Sequence, residues 1–206
     1  MSLVFYHSPM STASITELVL AELEVPHDVR LVDIRAGETK KPEFLKVNPN
    51  GKVPVIVHDG TVIWESSAIT MYLGETFGVQ KGLYPAAGPM RGEAMKWITW
   101  ANVSLGDAVG RWTRNTTEWA PADQQNAKAG EVGKADMLNC LRILDDALEG
   151  KEFLCGTYSL ADAHLNSFID WLRMMKVDMS AFTRLNAWGE RCSARPAYVR
   201  LMAAGK

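Results

Sequence analysis

Residues 53–64, VPVIVHDGTVIW, constrain the fold more than any other stretch of the chain. Two β-branched runs flank Asp59-Gly60. A two-residue type I′ turn needs positive φ at both central positions, and Asp-Gly is among the pairs that tolerate it. The stretch therefore reads as an antiparallel hairpin. The residues before it alternate between two periods. LVFY (3–6) reads as a buried strand, and Ile15, Leu18, Val19 and Leu23 share one side of a helix over 12–24. HDVRLVDI (27–34) alternates as a second strand, and KPEFLKV (41–47) predicts a short helix stopped by Asn48-Pro49-Asn50-Gly51. ESSAITMYLGETFG (65–78) follows the hairpin as a helix closed by glycine. The order is βαβα, then ββα. A right-handed crossover makes the first two strands parallel, and the hairpin adds an antiparallel pair.

The pattern changes beyond residue 78. VQKGLYPAAGPM (79–90), rich in glycine and proline, reads as a linker. No strand is legible after it. Helices are expected over 90–119, 122–149, 159–175, 181–193 and 196–204, broken by Pro121, Gly150, Gly156 and Pro196. The net charge of −2 and the absence of a Lys/Arg run argue against a nucleic-acid partner. No apolar run is long enough to span a membrane. MSLVFYHSPM lacks the basic start and long apolar stretch of a secretion signal. Cys140, Cys155 and Cys192 are odd in number and widely spaced, which suits neither a disulfide framework nor a zinc site. His7, His27, His58 and His164 show no ligand spacing with them, so no metal is expected, and the cysteine pattern points to a reducing compartment, the cytoplasm. The Asn115-Thr116-Thr117 sequon is then a chance match.

Three local features carry possible chemistry. SPMSTAS (8–14) crowds four hydroxyls into the start of the first helix. Pro54 opens a strand, where proline marks a boundary or an edge. A cis bond there would leave the Val53 N–H and C=O free for an extended peptide to pair with; a trans bond would merely begin the strand. Glu65 and Ser66 stand where strand gives way to helix. Such an N-terminus and the Ser66 hydroxyl suit a carboxylate, and Glu65 suits an ammonium, so the pair fits an α-amino-acid head. Simple capping by Ser66 or Ser67 is the other reading. No Cys-x-x-Cys occurs, so a thiol reaction here needs a thiol from the substrate.

Taken together, the βαβα–ββα order, NPNGKVPV, the Asp-Gly hairpin, ESSAI and the helical second half resemble the cytosolic glutathione transferase family over essentially the whole chain. Val-Pro and Glu-Ser fall one hairpin apart, as in the family. FLCGTYSLADAHL (153–165) is similar to the family's structural S-x-A-D segment, with Ser159 and Asp162 forming a capping box. The fold class implied is an α/β thioredoxin-like domain followed by an all-α helical bundle. Its boundaries are 1–80 for the glutathione-binding domain, 81–89 for the linker and 90–206 for the helical domain.

The resemblance implies roles for particular residues. Val53, before a cis Pro54, would pair with the cysteinyl backbone of glutathione, and Glu65 and Ser66 would hold its γ-glutamyl end. Lys40 and Lys52 lie where contacts to the glycine carboxylate are often found; Thr39 stands near a position that some members fill with histidine. The family's task is to hold the glutathione sulfur as a thiolate. SPMST looks like the S-P-x-S-T of serine-type members, which puts Ser11 in the catalytic role. Aligned on bacterial cysteine-type members, Thr12 takes the cysteine's place, and an ungapped match to tyrosine-type members selects Tyr6. The order of expectation is Ser11, Thr12, Tyr6. Ser14 opens Ser14-Ile15-Thr16-Glu17, a capping-box pattern, and is assigned to structure.

A hydrophobic electrophile would sit at the domain boundary. LGDAVGRWTRNTTEW (105–119) offers Arg111, Trp112 and Arg114 for a planar or anionic one, against the alternative of a solvated face with Trp112 in the core. Trp97, Trp100, Trp171 and Trp188 are assigned to core packing. The resemblance also implies a homodimer. The expected activity is conjugation of glutathione to small electrophiles. The alternatives are peroxide reduction, dehalogenation or ether cleavage at the same site, or a binding module without turnover.

Overall fold

A computed structural model of the chain describes residues 2–204. Strand β1 (Leu3–His7) leads into helix α1 (Ala13–Leu23), β2 (Asp28–Leu31), the short α2 (Pro42–Leu45), β3 (Val55–His58), β4 (Thr61–Trp64) and α3 (Ser66–Leu73). The strands form one mixed sheet in the order β2-β1-β3-β4. β2 runs parallel to β1, with Phe5 beside Val29, and β3 runs antiparallel, with Phe5 beside Ile56. The hairpin closes with His58 opposite Thr61. Asp59 (φ 46) and Gly60 (φ 86) both take positive φ, as a type I′ turn demands. β2 is shorter than the alternation over 27–34 suggests, and all four of its residues are exposed, because it forms an edge of the sheet.

Helices α4 (Pro89–Trp100), α5 (Gly106–Thr116), α6 (Ala127–Ala147), α7 (Leu160–Met174), α8 (Thr183–Ser193) and α9 (Pro196–Ala204) make the second half. The single helix expected over 90–119 is two helices joined by a π-helical turn, Ala101–Leu105. α5 then ends at Thr116, leaving Trp119 in the turn that follows. α5 and α6 pack with their backbones close together: a Cβ at Gly133 would lie 2.6 Å from the Trp112 nitrogen. The segment between the halves is anchored rather than loose. Tyr84 is buried with its ring against Gly74 and its Cβ against Gly78, and Leu160 N–H donates to the Leu83 carbonyl.

Two polar clusters fix the helical half. Asp162 accepts from the Ser159 N–H (2.9 Å) and hydroxyl (3.0 Å), from Leu154 N–H (2.9 Å) and from Trp188 Nε1 (2.9 Å). The capping box at Ser159 is therefore present, and it also pins the preceding loop and α8. Glu22, on α1, accepts from Arg195 Nε (2.8 Å), Arg195 NH2 (2.8 Å) and the Tyr158 hydroxyl (2.9 Å). This clamp ties the α/β half to the start of α9 and to the loop before α7. The Arg195 guanidinium lies 3.7 Å from the centre of the Tyr158 ring.

Candidate active site

The hydroxyl cluster sits in the turn between β1 and α1. Met10 takes φ 55, a left-handed conformation rare for a residue with a side chain. The turn places Thr12 at the N-cap of α1. Ser11 Oγ donates to the Ser8 carbonyl (2.7 Å) and accepts the Ala13 N–H (3.1 Å), so both its functions are spent on the turn. Thr12 Oγ1 makes one long bond, 3.3 Å, to the Val53 carbonyl, and Thr12 is exposed. Ser14 does not cap. It lies inside the helix and donates to the Ser11 carbonyl (3.0 Å), because α1 begins earlier than the capping-box pattern suggests. Glu17 instead stands 4.0 Å from His7 Nε2.

Tyr6 is on the wrong side for this cluster. Leu3, Phe5 and His7 point to the buried face of β1, while Val4 and Tyr6 point to the other. Tyr6 packs edge-on against Phe44, and its hydroxyl accepts from Arg30 NH1 at 3.1 Å. These three line a separate groove of about 430 Å³.

Across from Thr12, the Val53–Pro54 peptide bond is cis. Among the described residues, no strand or turn hydrogen bond uses the Val53 N–H. Asn48 organises the loop before it, donating to the Lys52 carbonyl (2.7 Å) and accepting from Asn50 N–H (3.0 Å). Lys40 Nζ donates to the Gly51 carbonyl (3.1 Å), and both Lys40 and Lys52 are exposed. Thr39 is buried. The hairpin then delivers Glu65 at φ 72 and ψ 117, a positive φ rare for a residue with a side chain, and leaves that side chain exposed. Ser66 follows as the first residue of α3, buried, its Oγ accepting from Asn102 Nδ2 at 2.8 Å.

A cavity of about 640 Å³ opens beside the hydroxyl cluster, between the start of α1, α7 and α9. Ser11 and Thr12 form its rim on one side. Trp119, Phe168, Trp171 and Tyr198 are among the side chains that line the rest. Trp119 and Trp171 stack with ring centres 4.8 Å apart and planes 21° from parallel, a flat aromatic wall. Trp171 packs half-buried against the core and also faces the cavity, while Trp97 and Trp188 are buried outright. Trp100 is half-buried, edge-on to Trp97 at 5.4 Å. Asp170 also faces the cavity; burial pushes its carboxyl up, against the pull of Arg173, which donates to it at 2.9 Å.

Arg111, Trp112 and Arg114 do not line this cavity. Arg111 is held between Asp107 (2.8 Å) and Asp136 (2.7 Å), a surface clamp joining α5 to α6. Trp112 packs half-buried against the core, and Arg114 is exposed with its guanidinium beside Gly110. The polar group that sequence reasoning missed is the set behind Ser66: the half-buried Asn102 with the buried His164 and Thr70. The one available signal was a histidine on the apolar α7, inside the segment read only as a cap.

The comparisons agree with this geometry. Residues 9–76 match the family model described as glutathione S-transferase, N-terminal domain, and residues 111–196 match glutathione S-transferase, C-terminal domain. Glutathione S-transferase GstB of Escherichia coli (strain K12) is 30% identical over 183 residues, 87% of this chain and 87% of that protein. Glutathione S-transferase D7 of Drosophila melanogaster is 28% identical over 191 residues, 91% of this chain and 82% of that protein. Among solved structures, the glutathione transferase URE2P6 of Phanerochaete chrysosporium, in complex with oxidized glutathione, superposes with a TM-score of 0.90. It is 22% identical, and the match covers 98% of this chain and 96% of that one. The chain belongs to the glutathione S-transferase family. It is a transferase, with glutathione as its family-level substrate.

Proposed function

We propose that this transferase ionises glutathione against Thr12 and conjugates the thiolate to a small apolar electrophile held on the Trp119–Trp171 wall. The observation that carries this is the position of Thr12. Its hydroxyl touches the Val53 carbonyl at 3.3 Å, where a cysteinyl backbone would pair, and it borders the 640 Å³ cavity. A free thiol ionises near about 8.5, and lowering that by two units requires favouring the anion by about 2.7 kcal/mol. A hydrogen bond to a charged group contributes about 1.5–3 kcal/mol. The N-terminus of α1, on which Thr12 sits, adds about 0.3–1 kcal/mol. Together they come to about 1.8–4 kcal/mol, a range that spans the requirement. Thr12 gives up only a long bond to turn toward sulfur, whereas Ser11 would have to break the turn that it holds. That difference favours Thr12 over Ser11, reversing the order expected from the sequence.

The rest of the tripeptide follows the same frame. Val53 pairs with the cysteinyl backbone, Glu65 and Ser66 receive the γ-glutamyl ammonium and carboxylate, and Lys40 and Lys52 lie toward the glycine end. Proximity in the shared cavity then replaces a bimolecular encounter, with no covalent intermediate on the protein. We assign residues 1–80 to the glutathione domain, 81–89 to the linker and 90–206 to the electrophile-binding domain. The family resemblance favours a homodimer, to be checked by sedimentation, and Val62, Trp64, Met90 and Val103 are exposed apolar side chains available to an interface. Cys140, Cys155 and Cys192 are free thiols, in keeping with a cytoplasmic protein.

The test is heat stabilisation by glutathione together with turnover of a generic aryl halide. Stabilisation with conjugation is expected. Stabilisation without turnover on any aryl halide, but with peroxide reduction, would move the activity to the alternative chemistry. Absence of stabilisation would refute the site.

A further inference from the structure

Ser66 is backed by a hydrogen-bond chain that runs through the interior. Thr70 Oγ1 lies 2.8 Å from His164 Nδ1, His164 Nε2 lies 2.7 Å from Asn102 Oδ1, and Asn102 Nδ2 lies 2.8 Å from Ser66 Oγ. Thr70 and His164 are fully buried, on α3 and α7. Asn102 is half-buried in the π-helical turn between α4 and α5. Such turns insert a residue and re-aim side chains, and they recur at functional sites.

The placement of the Asn102 amide sets the direction of this chain. Burial pushes the His164 pKa down to about 3, so the ring is neutral, with one donor and one acceptor. With the Asn102 amide placed Nδ2 toward Ser66 Oγ, its carbonyl oxygen faces His164 Nε2 and accepts from it. His164 Nδ1 is then the acceptor for the Thr70 hydroxyl. Every donor points toward Ser66, and bonds aligned in this way polarise one another. Ser66 Oγ accepts at the end of the chain, so its own proton must leave in another direction. Among the described residues nothing takes it. Ser66 is itself buried, but it opens α3 next to the exposed Glu65, the side from which a ligand would come.

We infer that Asn102 and His164 are positioning residues that make the Ser66 hydroxyl a one-way donor to the α-carboxylate of the γ-glutamyl group. The inference rests on the glutathione site proposed above. It explains why a buried polar chain crosses from the helical half to this hydroxyl. It also gives the π turn a purpose, since a regular helix over 89–116 would aim residue 102 differently.

The experiment compares binding of glutathione with binding of an analogue that carries γ-aminobutyryl in place of γ-glutamyl and so lacks the α-carboxylate. Calorimetry on the wild type gives the ratio of the two dissociation constants. Ser66→Ala is expected to shrink that ratio at least about tenfold, the loss of one hydrogen bond to a charged group. Asn102→Ala should shrink it part of the way, because Ser66 keeps its hydroxyl but loses the bond that aims it, and the double variant should lose nothing beyond Ser66→Ala. Asn102→Asp keeps the shape but cannot donate, and it competes for the Ser66 proton, so its ratio should fall below that of Asn102→Ala. A packing role predicts the opposite order, with the isosteric variant milder. Equal weakening of both ligands by Asn102→Ala, or additive losses in the double variant, would overturn the inference while leaving the glutathione site standing. A wild type that binds both ligands alike would instead bring down the assignment of the γ-glutamyl subsite, and the inference with it.

Discussion

Arg195→Met removes one side of the clamp between the two halves of the molecule. Glu22 is 2% exposed at its side chain and would keep only the Tyr158 hydroxyl, at 2.9 Å, after losing two bonds of 2.8 Å. Breaking a buried ion pair by deleting one partner costs about 3–5 kcal/mol, because a charge is left uncompensated. Arg195 is 30% exposed, so water can reach part of the gap. The expected loss is therefore nearer about 2–3 kcal/mol. For a chain of this length that lowers the melting temperature by about 4–12 °C. Urea unfolding at fixed protein concentration gives the free energy, and a thermal scan gives the shift. A matched substitution separates charge from packing. Glu22→Leu with Arg195→Met removes the orphaned charge, and adding Tyr158→Phe removes the orphaned hydroxyl. That triple variant should recover most of the loss, since apolar replacement of a whole buried pair is often neutral. A single Arg195→Met variant within about 0.5 kcal/mol of wild type, the scatter of ordinary surface substitutions, would refute the reasoning.

Gly133→Ala should destabilise by about 1–3 kcal/mol, because the new Cβ would lie 2.6 Å from the backbone nitrogen of Trp112, which cannot swing aside. Urea midpoints check it. His164 stays neutral in the fold, with its pKa down to about 3, while an unfolded histidine titrates near about 6.5. The unfolded chain binds the extra proton between those values, so stability should fall as pH drops below the unfolded pKa, by up to about 1.4 kcal/mol per unit from this residue. Unfolding free energies of wild type and His164→Gln should differ by that slope. Trp171→Ala should raise KM for an aryl electrophile about 3–10-fold, the worth of an aromatic pair, with KM for glutathione unchanged.

Local chemistry made the α/β half readable. Asp59-Gly60 specifies its turn by backbone sterics alone, and the hairpin carries β3, β4 and the register of the sheet with it. Tyr6 was readable too: the alternation of Leu3, Phe5 and His7 puts it on the opposite face of β1 from α1, although the ungapped family match draws the eye to it. Ser11 and Thr12 could not be separated in sequence. Their difference lies in partners as distant as Val53 and as near as Ser8, which only the folded turn brings together. The cavity wall was hidden for a similar reason. Trp119 lies beyond the end of α5 and Trp171 near the end of α7, and their stacking is a tertiary event. Arg111 shows the split within one residue: Asp107 is an i,i+4 neighbour that the spacing announces, while Asp136 arrives from another helix. A π turn leaves helical periodicity almost untouched, which is why Asn102 was not singled out.

The spectroscopic titration of the bound glutathione thiol, in wild type and in Thr12→Val, Ser11→Ala and Tyr6→Phe, tests the central claim most directly. The account predicts a wild-type thiol ionising about two units below free glutathione, and a rise of about 1–2 units in Thr12→Val from the lost hydrogen bond. Ser11→Ala and Tyr6→Phe should titrate close to wild type. A Thr12→Val variant that ionises its glutathione like wild type, or a larger shift in Ser11→Ala, would contradict it.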